Sequence, residues 1–284
     1  EPCMLLGVDV NHPEKGDAKT QSVLAVVGST DGMLGQYAAH VSFCKDREQP
    51  AEDLKASILA IIRAFTLRNG RPPKRILIYR DGVAENQFSN ILEKEVPAFH
   101  SAFNELGYDG NMVKIAIIVC QKRHHSRFVY EEGAGGKSRI QKNEDPDYLN
   151  PCVGLCVDAR STGGGDGDTF DDPDAVGSII SPNCNEFYLS SHAAILGTSK
   201  MCKYTLVYDE IGLELIEVEL LTFWTSHLYA RCTKAISSAT PVSYAHFAAR
   251  RAKYLLKAGA STEEIATISE NWLKSNVIPS LYFA

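Results

Sequence analysis

The run Arg75-Ile76-Leu77-Ile78-Tyr79, followed at once by Arg80-Asp81-Gly82-Val83, constrains this chain more than any other stretch. Its apolar centre reads as a buried strand, and Ala84-Glu85-Asn86-Gln87-Phe88 beyond it reads as the entry to a helix. A buried strand that hands over to a helix is the unit of an α/β fold. The acid at the junction has two readings. An Asp there caps the first turn of a helix. It also suits a metal-binding carboxylate, because the strand fixes the backbone and the glycine lets the chain turn away. What decides between them is whether other parts of the chain converge on Asp81.

Three strands precede this strip. Met4 to Val10 is an apolar strand carrying one acid, Asp9. Ser22 to Val27 is a second strand and Tyr37 to Cys44 a third, with turn residues between them, so the three predict an antiparallel meander. Ala51 to Thr66 carries a helical stripe through Leu54, Ile58, Ile61, Ile62 and Phe65. Glu85 to Leu106 predicts a second helix, which Pro97 breaks or bends. Val113 to Cys120 is a fifth strand. Further on, Val153 to Val157, Glu186 to Ser190 and Tyr204 to Tyr208 read as strands. Leu213 to Tyr229 and Ser243 to Lys257 read as helices, and Glu131 to Lys142 and Ser161 to Asp172 as loops. No internal repeat is visible. The expectation is one α/β domain over residues 1–284, a mixed sheet flanked by helices with a helical layer at its C-terminal end. The order of strands and helices resembles that of a ribonuclease H-like sheet.

Composition narrows the setting. Of 284 residues, 44% are hydrophobic and 23% charged, the globular norm. No apolar run approaches the roughly 20 residues of a membrane span, and no signal segment opens the chain. The chain starts at Glu1 and enters a strand almost at once, which reads as a domain from a longer protein. Its last residues, Tyr282-Phe283-Ala284, read as a natural end. The eight cysteines mostly lie in or beside apolar strands without paired CxxC spacing, which suits reduced thiols in the cytosol or nucleus. Net charge is −6, yet bases cluster at Lys122 to Arg127 and Arg250 to Lys253 while acids cluster at Asp166 to Asp174. That distribution is compatible with a basic channel on an acidic body.

Asp9 lies mid-strand among apolar residues, where an uncompensated carboxylate costs several kcal/mol, roughly. A metal ion is one compensation. In a meander joined to a parallel strand, Asp9 and Asp81 sit on adjacent strands and face the same way, an oxygen donor pair suited to magnesium or manganese. Two such ions activate a water and stabilise a leaving oxygen in phosphodiester cleavage. His246 is a third candidate, on a helix with bases one turn further on; a lone helical histidine also serves as an ordinary surface or core residue. The Lys122–Arg127 cluster reads either as a solvated loop or as a phosphate-binding segment.

Five motifs occur in one order: Gly7-Val8-Asp9-Val10-Asn11-His12-Pro13, Tyr79-Arg80-Asp81-Gly82-Val83, Gln121-Lys122-Arg123-His124-His125, Ser191-His192-Ala193 with Gly197-Thr198-Ser199, and Tyr244-Ala245-His246. Together they resemble the PIWI domain of eukaryotic Argonaute proteins, over essentially the whole chain. The acidic loop near Asp166 departs from common animal Argonautes and looks like a divergent, nematode-type lineage.

That resemblance implies a ribonuclease H fold, binding of a guide small RNA and of target RNA, and cleavage of the target by a two-metal site with Mg2+ or Mn2+. It places the metals on Asp9, Asp81 and His246. A fourth catalytic residue, a glutamate on a loop ahead of Asp53-Leu54, falls on Gln49 by ungapped counting; a one-residue shift brings in Glu48. Phosphate contacts carry over to Lys122, Arg123, His192, Tyr229, Arg231, Ser237 and Arg251. Lys200 stands where an arginine is usual, which keeps charge but loses the planar fork, and Ser243 stands where a tyrosine is usual. The carboxylate of Ala284 would lie near the guide 5′-phosphate pocket, part of which belongs to a MID domain of the same protein. The runner-up expectation is a guide-holding module that cuts little and silences through recruited silencing-complex proteins. An unguided ribonuclease H-like nuclease explains the acids but not the basic cluster.

Overall fold

The computed structural model describes residues 2–13, 21–44, 51–108, 112–128, 150–158, 185–194 and 197–274. Its strands are β1 (Cys3–Asn11), β2 (Ser22–Ser29), β3 (Tyr37–Cys44), β4 (Arg75–Asp81), β5 (Lys114–Gln121), β6 (Cys156–Asp158), β7 (Glu186–Leu189) and β8 (Cys202–Asp209). They are hydrogen-bonded in the order β3-β2-β1-β4-β5-β8-β7-β6. β1 pairs antiparallel with β2 and parallel with β4, so the sheet is mixed, as expected. The longer helices are α1 (Ala51–Asn69), α2 (Val96–Glu105), α3 (Leu215–Thr225), α4 (Thr240–Lys257) and α5 (Thr262–Lys274).

The chain divides into two compact units, the first made of Glu1–Val119, Val207–Gly212 and Thr240–Ala284, the second of Cys120–Leu206 and Leu213–Ala239. In the first unit, one sheet face carries Met4, Leu6, Val8, Leu24, Val26, Ile76 and Ile78. Against it lie the apolar stripes of α1 (Leu54, Ile58, Ile61, Ile62, Phe65) and α2 (Phe99, Ala102, Phe103), all buried in one core. Strand alternation sends the neighbouring residues, Gly7, Asp9, Tyr79 and Asp81, to the other face. There α4 crosses β1 and β2 with its buried Tyr244, Ala245, Ala248, Ala249 and Ala252. Tyr244 meets Tyr37 edge-on with ring centroids 5.0 Å apart. α5 packs on β3. Its Ser269 hydroxyl accepts from the Val41 N–H at 3.3 Å and donates to the Ala39 carbonyl at 3.1 Å.

In the second unit, β7 pairs with β6 and β8, and Phe187 stacks on Tyr204 at 5.2 Å. Phe128, Leu155 and Val157 pack around Tyr188 and Met201. Asn150 is buried and ties a turn together, donating to the Gly197 carbonyl at 2.9 Å and accepting from the Ser199 N–H at 2.6 Å.

Four elements differ from expectation. The helix over Glu85–Leu106 is segmented: a 3-10 turn Glu85–Gln87, a helical turn Phe88–Asn90, a π-helical stretch Ile91–Glu95, then α2. One boundary falls beside Pro97, as expected: it sits in the first turn of α2, directly after the π-helical stretch, where a missing N–H is tolerated. Residues 153–154 form a turn with Gly154 at φ +92°, so that strand is only Cys156–Asp158. The helix expected over Leu213–Tyr229 stops at Thr225. α5 was not expected at all. The loops at 131–142 and 161–172 lie outside the described residues, as do Glu48, Gln49 and Ala284.

Candidate active site and phosphate-binding surface

The register of β1 against β4 is constant from Cys3↔Arg75 to Val8↔Arg80, where the pairing ends; Asp9 and Asp81 are the next residues on the two strands. In-register residues on adjacent parallel strands share a face and sit about 4.8 Å apart at the backbone. Continued by one residue, that spacing sets the two acids on the same face of neighbouring strands. Asp9 is 5% exposed. Asp81 ends its strand, its Oδ1 accepting from the Gly82 N–H at 2.8 Å. Gly82 has φ +75°, a left-handed turn that takes the chain off the sheet. A Cβ on Gly82 would lie 3.8 Å from Asp9 Oδ1, which shows how closely this turn approaches the first acid.

His246 reaches the pair from α4, with its Nδ1 3.2 Å from Asp9 Oδ2. This bond raises the His246 pKa above its ordinary 6.5; burial opposes the rise, while the negative charges of Asp9 and Asp81 add to it. The positive charge of Arg250, one turn along α4, works against it. When the imidazole is protonated, it and the Asp9 carboxylate compensate each other's charge. Gly7 makes this approach possible. A Cβ there would fall 2.1 Å from the Pro241 carbonyl oxygen, so only glycine lets α4 lie this close to β1. A lone glycine inside an apolar strand marks such a close approach, a signal present in the sequence but not taken up. Lys253 of α4 reaches Asn11 Oδ1 at 3.5 Å and the His12 carbonyl at 3.4 Å, which ties the helix to the end of β1.

Two carboxylates and an imidazole are a donor set that magnesium or manganese accepts, so the chemistry of the site fits a divalent ion. Among the described residues no three such side chains converge closely enough to form a closed ligand cluster. The contact seen is the Asp9–His246 pair. In this unit Arg251 is exposed on α4.

The second unit gathers most of the other predicted contacts. Lys122 and Arg123 are exposed just after β5, and Lys200 is exposed just before β8. Burial lowers the pKa of His192, and the charge of Lys122 lowers it further, so these two are neighbours. The Ser191 hydroxyl donates to the Ile236 carbonyl at 2.6 Å, which brings the segment holding Ser237 beside His192. Tyr229 is half-buried and Arg231 exposed in the turns after α3. Two members of the basic cluster serve the loop itself. Arg127 donates to the His124 and Ser126 carbonyls at 3.0 and 2.7 Å, and His124 Nε2 lies 2.7 Å from the Met201 carbonyl. Lys122 and Arg123 are the exposed charges of this run that no loop carbonyl holds among the described residues, while Arg127 is exposed but bonded to the loop.

The Piwi domain family profile matches residues 1–257. The chain is 34% identical to Protein argonaute 5 of Arabidopsis thaliana over 274 residues, covering 92% of this chain and 25% of that protein. It thus spans about a quarter of the relative's length. Among solved structures, it is similar to the C-terminal lobe of a budding yeast Argonaute (TM-score 0.78, 24% identity, 100% of this chain and 54% of that one). It is likewise similar to Kluyveromyces polysporus Argonaute with a guide RNA (TM-score 0.77, 24% identity, 100% of this chain and 30% of that one). The fold is the ribonuclease H-like one of these lobes.

Proposed function

The chain belongs to the Piwi domain family, and on that premise we propose that it is the cutting part of a longer, small-RNA-guided protein that cleaves target RNA. The observation that carries this reading is the convergence of Asp9 and Asp81 on adjacent parallel strands, with His246 brought onto Asp9 by α4. Asp9, Asp81 and His246 would hold divalent magnesium or manganese. Such ions, when bound, supply charge stabilisation and an activated water for in-line attack on a phosphodiester. The protein's own part is to hold three donors on rigid elements, on strands and a helix rather than on loops.

Lys122, Arg123, His192, Lys200, Tyr229, Arg231, Ser237, Arg251 and the Ala284 carboxylate are the proposed contacts to guide and target phosphates, which neutralise charge without reading sequence. A MID domain of the same protein and silencing-complex proteins are the proposed partners, and the cytosol or nucleus the proposed setting. Among the described residues no helix is long and apolar enough to cross a membrane. The test loads the whole protein with a guide and offers a matched target with magnesium. A cut opposite the guide centre, abolished by Asp81→Ala, is expected. No cut under conditions where a known slicer cuts would end the reading.

Gln49 favours a second reading. It occupies the place of the fourth catalytic residue by ungapped count, with Glu48 beside it. In that case the protein holds a guide and silences through recruited partners, and silencing survives Asp81→Ala.

A further inference from the structure

Arg80 is 1% exposed and Glu95 6%, a buried ion pair on the sheet face opposite Asp9 and Asp81. Arg80 Nε donates to Glu95 Oε1 at 3.0 Å and to Oε2 at 3.3 Å. The same guanidinium has a second role, because Nη1 donates to the main-chain carbonyl of Asp81. That carbonyl stands where β4 ends, one residue past Arg80, the last residue paired with β1. Glu95 closes the π-helical stretch Ile91–Glu95, in which the Val96 N–H reaches back to the Ile91 carbonyl. Ile91 and Glu95 are the buried residues of that stretch. Single π turns inside helices recur at functional sites.

Burying such a pair is not an economical way to stabilise a core, since well-packed apolar residues of similar volume serve as well or better. What an apolar pair lacks is the donor to Asp81. We propose that Arg80, oriented by Glu95, is a positioning residue for Asp81. From beneath the sheet it pins the backbone of the residue whose carboxylate faces the proposed metals. Asp81 is then fixed from both sides: its carbonyl by Arg80, its carboxylate by the Gly82 N–H. The inference rests on the proposed cleavage site for its functional meaning, but its geometry does not.

The test uses the whole protein and two variants. Arg80→Met with Glu95→Leu removes the pair while filling its volume. Arg80→Lys keeps the charge beside Glu95 but has no planar fork to span both acceptors. Three readouts separate positioning from general stability. Amide exchange over Asp81–Val83 is expected to quicken at least tenfold in either folded variant, with β1 unchanged. Mn2+ affinity, by titration without RNA, is expected to fall ~10–100-fold, as for other groups that orient ligands. Single-turnover cleavage is expected to fall by a similar factor with half-saturating target unchanged. Should the wild type bind Mn2+ but fail to cut, the cleavage reading falls and the exchange and affinity shifts still support positioning. A folded variant with wild-type exchange over Asp81–Val83 overturns the inference whatever the cleavage result.

Discussion

Gly7→Ala tests how closely β1 and α4 are fitted. The new methyl would lie 2.1 Å from the Pro241 carbonyl oxygen, 2.3 Å from its carbon and 2.9 Å from the Val242 nitrogen. Ordinary contact begins at 3.4 Å, so the start of α4 must retreat by about 1.3 Å, a forced overpacking. Overpacking a well-filled site costs ~1–3 kcal/mol. Here the obstacle is helix main chain, which cannot swing aside, so the upper part of that range applies. For a chain of this size each kcal/mol moves Tm by ~2–4 °C. His246 sits five residues beyond Pro241, about 7.5 Å along the helix axis. A retreat of that size takes its 3.2 Å contact with Asp9 out of hydrogen-bond range. Cleavage should therefore fall by ~100-fold, well beyond what the stability loss explains. Gly28→Ala is the control. Its methyl would meet Ile61 Cγ2 and Met4 Cε, both at 2.4 Å, side chains of the opposite face rather than α4 main chain, so it strains the core without moving His246. Urea unfolding and single-turnover cleavage of both variants decide the matter. A Gly7→Ala protein that unfolds like the wild type, or a Gly28→Ala protein that loses as much cleavage as Gly7→Ala, refutes the reasoning.

Other positions give further expectations. Gly82→Ala puts a side chain at φ +75° and should cost ~1–2 kcal/mol in unfolding free energy, with Gly82→Asn losing less because Asn tolerates that region. The Ser57 hydroxyl meets His40 Nδ1 at 3.0 Å and the Ser42 hydroxyl at 2.9 Å in a buried network; Ser57→Ala should lower stability by ~1–3 kcal/mol in denaturant titration, because His40 loses its partner. Burial holds the His40 pKa below its ordinary 6.5, against a smaller upward pull from Glu270. The unfolded chain then binds the proton first as pH falls. The contribution of neutral His40 is complete above 6.5 and is lost as pH drops from there through the lowered folded value. His40→Gln should flatten this part of the stability curve, and an unchanged slope would contradict the assignment.

Much of this was legible in the sequence because the strands are apolar runs and burial enforces such runs. β1, β2, β3, β4 and β5 all appear where the apolar residues predict them, and Asp9 stood out because it interrupts one. α1 follows its stripe. α5 carried a signal that went unread. Ser261 and Glu264 form a capping box: the Ser261 N–H donates to Glu264 Oε2 at 2.8 Å, and the Glu264 N–H donates to Ser261 Oγ at 3.1 Å. The spacing Ser-x-x-Glu before Ile265 is the pattern that announces a helix start. In the segmentation of Glu85–Glu105 only Pro97 left a trace, at the start of α2; the π-helical stretch Ile91–Glu95 ahead of it carries no local signal. Arg80 itself reads as an ordinary charged residue in sequence, and only the fold shows it buried and paired. The Asp9–His246 contact depends on residues 237 positions apart, and spacing alone gave no more than a candidate.

β3 lies at an edge of the sheet, and there Ser269 occupies the Val41 N–H and the Ala39 carbonyl. One serine thereby does at a single point what a ninth strand would do along the whole edge. The family match ends at residue 257, before α5 begins at Thr262. A chain stopped there would keep Asp9, Asp81, His246 and Arg251, yet would offer β3 as an open template to any extended segment, including the β3 of another copy. Its chemistry would outlast its solubility: α5 adds nothing to the candidate site, but it keeps the sheet that carries the site from growing.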